Sequence, residues 1–170
     1  MNQRVKTILT TCIVALAVLF AAARLRHFHP AGDHGASVWF YDQSAKRLYP
    51  APGNLISPDG GEARVRAIVI GFKGMGNEIS QLKIAYLEKY SPDFKALLER
   101  AEAARAAKRP FNEKIPSRNS PYFHDNTFVK RPDETSWHNA GTDDARQIMT
   151  EWHQWRGPAG QPPIISVPSP

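Results

Sequence analysis

The sequence predicts an α+β protein: an N-terminal transmembrane helix followed by one small domain with an antiparallel β-sheet and two packed helices. Three observations carry this reading. Thr7 to Ala23 form a run of 17 uncharged, mostly apolar residues between Arg4 and Lys6 on one side and Arg24 and Arg26 on the other. Ser37–Asp42 and Arg64–Phe72 are rich in β-branched and aromatic residues, the mark of strands buried on at least one face. After Ser91 and again after Thr142, a capping hydroxyl, acidic residues in the first turn and apolar residues at helical spacing mark two helices.

The first segment addresses the chain to a membrane. Seventeen helical residues span roughly 26 Å, close to the ~30 Å hydrocarbon core, and Lys6 and Arg24 can snorkel to complete the span. A cleaved secretory signal is the alternative, with Ala21 and Ala23 permitting a cut before Arg24. Cys12 is preceded by Thr11 and too little apolar sequence to suit lipid attachment. The amino terminus, Arg4 and Lys6 outweigh Arg24 and Arg26, which favours the amino end inside. The expectation is a single-pass protein of a bacterial inner membrane, in contact with lipid through residues 7–23, with its C-terminal domain in the periplasm.

Four regions follow: a membrane anchor or signal over 1–26, a juxtamembrane spacer over 27–36, an α+β domain over 37–157 and a proline-rich tail over 158–170. The spacer reads HFHPAGDHGA, and His27, His29, Asp33 and His34 are its candidate metal ligands, since imidazole and carboxylate suit Zn²⁺, Cu²⁺ or Ni²⁺. Coordination there would first require ordering the spacer. The bland reading of these residues is a polar linker.

Within the domain, Ser37–Asp42 and Lys46–Tyr49 read as a hairpin across Gln43-Ser44-Ala45. Prolines and glycines from Pro50 to Gly61 then punctuate a loop. Arg64–Phe72 is the expected central strand. The glycines at 71, 74 and 76 invite a phosphate-loop reading, but the spacing of such loops is absent and residues 81–88 look like a strand, so a hairpin turn is expected. The helix opening at Ser91-Pro92-Asp93 places Phe94, Leu97, Leu98 and Ala101 on one side and is expected to stop before Pro110.

Residues 109–126, with three prolines and no period, read as a long surface loop. Thr127–Lys130 and Ser136–Asn139 form a closing hairpin. The helix capped by Thr142 carries Ala145, Ile148, Met149 and Trp152 on one face and ends by Gly157-Pro158. The remaining GQPPIISVPSP is expected to lie extended on the surface or in solvent.

Charge narrows the function classes. Of 22 Lys and Arg, three lie at or before Arg24, whereas all 16 acidic residues lie beyond it, so the body carries +3. That is too mild for a nucleic-acid partner. The basic run from Lys95 to Arg118, diluted by Glu99, Glu102 and Glu113, reads as a solvated helix face and loop. With its only cysteine in the apolar run, the body has no disulfide and no thiol nucleophile.

No catalytic motif and no cofactor site is expected. The reading is a membrane-anchored exported domain serving as an accessory, assembly or scaffold component, bound to a protein partner or to its own copies. Phe111, Tyr122, Phe123, Trp137 and Trp155 are the partner-binding candidates, being residue types enriched at interfaces as well as in cores. A metal-binding or hydrolytic domain using His124, Asp125, His138, Glu151 and His153 is one alternative. A pilin-like or pseudopilin-like subunit is another, although the expected processing site is missing.

The segments SVWFYDQSAKRLYPAP, VRAIVIGF, IAYLEKYSPDFKALLE and FVKRPDETSWHNAGTDDARQIMTEW resemble a set of uncharacterised exported, membrane-anchored α+β proteins of planctomycete-like bacteria, over residues 38–165. The resemblance implies the domain limits and membrane placement, and transfers no reaction, ligand or partner. Such relatives are expected to carry cysteines after the central strand and near the carboxyl end. This chain has none at Phe72–Asn77 or Arg156–Ser166, so no thiol role passes to it.

Overall fold

The computed structural model describes residues 37–74 and 79–168. The apolar run, the histidine-bearing spacer and residues 75–78 of the glycine-rich turn lie outside the described residues. Among those described, no helix is long and apolar enough to cross a membrane.

The chain first makes the expected hairpin, β1 (Val38–Asp42) and β2 (Arg47–Ala51). Asp42 closes its turn, one carboxylate oxygen accepting from the amides of Ser44 and Ala45 at 2.9 and 2.8 Å. Next come β3 (Arg64–Phe72) and β4 (Lys83–Tyr90), the pair expected around the central strand. The helix α1 (Pro92–Ala106) begins where Ser91 Oγ accepts from the Phe94 amide. Short β5 (Thr127–Lys130) and β6 (His138–Asn139) follow, and then α3 (Asp143–Thr150), capped by Thr142.

Two elements depart from expectation. A short helix, α2 (Pro121–Asp125), interrupts the supposed loop, with Ser120 Oγ accepting from the Phe123 amide. The supposed free tail contributes a strand, β7 (Pro163–Ile165), paired to β3 from Phe72 to Ile70. The domain therefore includes residues beyond Gly157. Among the described residues, three α-helices rather than two accompany the sheet.

All pairings are antiparallel, in the order β2-β1-β3-β4-β5-β6 with β7 also on β3. Arg66 faces Phe40 on one edge and Glu88 on the other, while Ile70 faces Ile165 and Lys83. So β1 and β7 share one edge of β3, end to end. The register points the C-terminal end of β7 at the N-terminal end of β1, and the chain enters and leaves the domain at the middle of the same strand.

Alternation along β3 and β4 sorts the core onto two faces. One face carries buried Trp39, Val65, Ala67, Val69 and Leu87, with Tyr41, Leu48, Leu82, Ile84 and Trp137 packed on them. The three helices lie on the other: Phe94 and Leu97 of α1 and Phe123 of α2 meet Tyr90, while Ala145 and Ile148 of α3 cover Val129. A bulge between Ile68 and Val69 lets β4 keep its apolar side chains on these faces. Gly157 closes against Phe72, where an added Cβ would stand 3.0 Å from Phe72 Cβ.

Helix α1 ends earlier than Pro110 for a local reason. Lys108 turns left-handed (φ 51°), the Arg109 amide donates to Ala104 O at 2.9 Å and the Lys108 amide to Arg105 O at 3.0 Å, together a Schellman motif. Lysine carries a Cβ into a conformation that glycine adopts freely. Lys108→Gly is expected to raise stability by about 0.5–1 kcal/mol, read from the urea midpoint at unchanged slope.

Candidate functional site

Polar and apolar groups converge on the helix-bearing face, where the loop 53–57 runs past α1. Buried Ser57 fixes this loop to the sheet: its Oγ donates to Glu88 O at 2.6 Å and accepts from the Arg66 amide at 3.0 Å. Between loop and helix opens a cleft of about 260 Å³, with Arg66 and Tyr90 contributed by the sheet, Ile56 by the loop, Leu98 and Glu102 by α1, and Ile115 by the following segment. A second hollow, about 480 Å³, flanks α1 on the side of Ala104, Pro110 and Phe111.

The cleft sits above a buried carboxylate. Glu88 is 5% exposed and accepts from the Tyr90 hydroxyl at 3.1 Å. Burial, reinforced by Glu88, pushes the Tyr86 phenol up to about 12 and the Tyr90 phenol higher still. Both phenols are therefore neutral donors at physiological pH. On the α1 wall, Arg105 Nη2 donates to Glu102 Oε1 at 2.5 Å, and this bond, helped by Asn54, holds the Glu102 carboxyl below the usual range. The segment after α1 is tied back by Arg100, which grips Glu113 through two bonds of 3.1 and 2.8 Å.

The partner-binding candidates occupy different places. Phe123 stands edge-on to Tyr90 and Phe94, with centroids 6.0 and 5.6 Å away, and Phe111 packs on the same cluster. Tyr122 touches Phe94 edge-on at 5.9 Å yet stays 48% exposed, and Ile115 is 47% exposed. Trp137 is on the opposite face, its ring beneath the ammonium groups of Lys89 and Lys130 at 4.8 and 5.2 Å. Trp155 follows the 3-10 turn Glu151–Gln154 and is half-buried. Ile115 and the cleft beside it were not signalled by periodicity or motif.

The polar residues of the C-terminal half do not converge on a reaction centre. Arg131 binds both oxygens of Glu151 at 2.8 and 2.6 Å and one of Glu134 at 2.6 Å. His138 stands 3.7 Å from Glu134 and 3.8 Å from Asp144, one carboxylate near each ring nitrogen. His153 lies against Trp152, His124 against Phe123, and the Asp125 carbonyl accepts from Asn139 at 2.8 Å. Among the described residues no three His, Cys, Asp or Glu side chains are grouped to hold a metal. None of the residues lining the cleft is His or Cys. The arrangement suits binding: a trough that combines Leu55, Ile56, Leu98 and Ile115 with Arg66 and the Glu102–Arg105 ion pair. Compared with known proteins, the chain matches no family model, no curated protein and no solved structure.

Proposed function

We propose that this chain is a single-pass protein of a bacterial inner membrane whose periplasmic domain is an accessory, assembly or scaffold component, engaging a protein partner through the cleft beside α1. The observation that carries the reading is this cleft, a trough of mixed polar and apolar lining of about 260 Å³ bordered by exposed Ile115. An internal ion pair supports the same reading, because Glu151, a carboxylate of the hydrolytic alternative, is held by Arg131. The run 7–23 supplies the anchor.

Expression of the full chain in a bacterial host, carbonate washing of membranes and mass spectrometry of the purified protein test this directly. Retention of residues 1–23 is expected, together with a partner at constant ratio that Ile115→Asp abolishes and Glu99→Ala leaves in place. A soluble chain beginning at Arg24 with no partner overturns the reading.

A further inference from the structure

Among the described residues, exposed apolar side chains also gather at the β7 edge. Ile164, Ile165 and Val167 are 49%, 59% and 59% exposed. Ile164 pairs with Gly71 and Ile165 with Ile70, so these neighbours project from opposite faces of the strand. The result is an apolar ridge rather than a half-buried strand. Exposed Lys73, Lys83 and Arg156 lie near it: Lys83 stands across Ile70 from Ile165 with its ammonium over the Phe72 ring, Lys73 follows Phe72, and Arg156 precedes Gly157, which packs against Phe72.

We infer that this ridge is the bilayer-facing pole of the domain, resting edge-on in the interface of anionic lipid while its basic rim meets the headgroups. The inference deepens the anchored reading and rests on it. Its independent argument is topological: β7 ends where β1 begins, along one edge of β3, so Val38, the first residue of β1, lies at the end of the ridge. The ridge is a poor template for strand addition, because it is three residues long and Pro163 lacks an N–H to offer. Aliphatic side chains with a Lys and Arg rim match an interfacial contact, in which apolar burial and attraction to anionic headgroups add.

The test uses the full chain in vesicles of mixed phosphatidylethanolamine and phosphatidylglycerol. Cys12→Ser removes the native thiol, and an environment-sensitive fluorophore is placed through Ile165→Cys or, as a control on exposed α1, through Glu99→Cys. Lipids brominated near the headgroup are expected to quench most emission at 165 and little at 99, and adding Ile164→Asp with Val167→Asp to the first variant is expected to remove the quenching. Absence of quenching at 165, in a chain that still resists carbonate extraction, overturns this inference and leaves the anchor standing. Efficient cross-linking of position 165 between two copies, without quenching, overturns it in favour of self-association. Release of the chain by carbonate overturns the anchored reading and this inference together.

Discussion

Phe94→Ala is expected to destabilise the domain by about 3–5 kcal/mol, a large part of the 5–15 kcal/mol typical of a folded domain. Phe94 is 1% exposed and sits where α1, α2 and β4 meet. Its ring touches Tyr90, Tyr122 and Phe123 edge-on, at 5.3, 5.9 and 5.6 Å between centroids. Removing it deletes the buried ring, the cavity contacts and the quadrupolar pairing at once. Beyond this ring α1 is held mainly by Leu97 of the same cluster, by Ala104 and by the exposed Arg100–Glu113 pair, so little else can compensate. Urea unfolding of the detergent-solubilised full chain, followed by circular dichroism, measures the loss. Phe94→Leu should recover part of it, whereas a Phe94→Ala protein with an unchanged midpoint would mean that α1 is not anchored through this ring. Tyr90, which lines the cleft, packs edge-on against Phe94, so Phe94→Ala is also expected to weaken partner retention along with Ile115→Asp.

Arg131→Ala is expected to cost about 2 kcal/mol, between the values typical of exposed and buried ion pairs. The guanidinium is 32% exposed, and Glu134 and Glu151 are 29% and 27% exposed, so solvent screens the trio only in part. The substitution leaves both carboxylates without their main donor. It also predicts a pH signature. Burial pushes the Glu134 carboxyl upward, but the Arg131 amide and guanidinium outweigh it and hold the group below the ordinary carboxylate range. A depressed folded value stabilises the native state above the unfolded value of about 4.3 and loses that contribution as pH falls through the folded value. Native stability should therefore drop below roughly pH 4, and the Glu134 share of that drop should shrink in Arg131→Ala, where only the backbone amide of residue 131 still donates to it. Identical acid profiles for the two proteins would sink the assignment.

Local chemistry was legible wherever a few adjacent residues decide the outcome. Ser91-Pro92-Asp93 supplies a hydroxyl for an orphan amide, a fixed φ and a charge at the positive helix end, and α1 starts there. For α3, Thr142 supplies the hydroxyl and Asp143 and Asp144 the charge. Ser120-Pro121 supplies the hydroxyl and the fixed φ without the charge, and α2 was obscured further by Pro116 and by its five-residue length, too short for an apolar period to register. Strand β7 was obscured for another reason: a proline-rich run has no local preference for a sheet, and only the free upper edge of β3, left beyond the end of β1, gives Ile164 and Ile165 backbone partners.

The placement of the aromatic candidates shows the same limit. Tyr122, Phe123 and Trp137 are alike in type, but Phe123 packs into the core under α1, Tyr122 faces outward beside it and Trp137 serves two lysines on the opposite face. Burial of Glu88 behind Tyr90, and the cleft between α1 and the loop 53–57, likewise arise between residues tens of positions apart. By itself the sequence determined the class of the domain, its central strand, the starts of its two longer helices and the thiol-free chemistry of its body, because propensity, capping and composition act within a few residues. Only the tertiary structure decided which side chains are shared between faces, which carboxylates are neutralised and where β7 docks, because cross-strand register and long-range burial depend on loop closure and on which backbone edges remain unpaired.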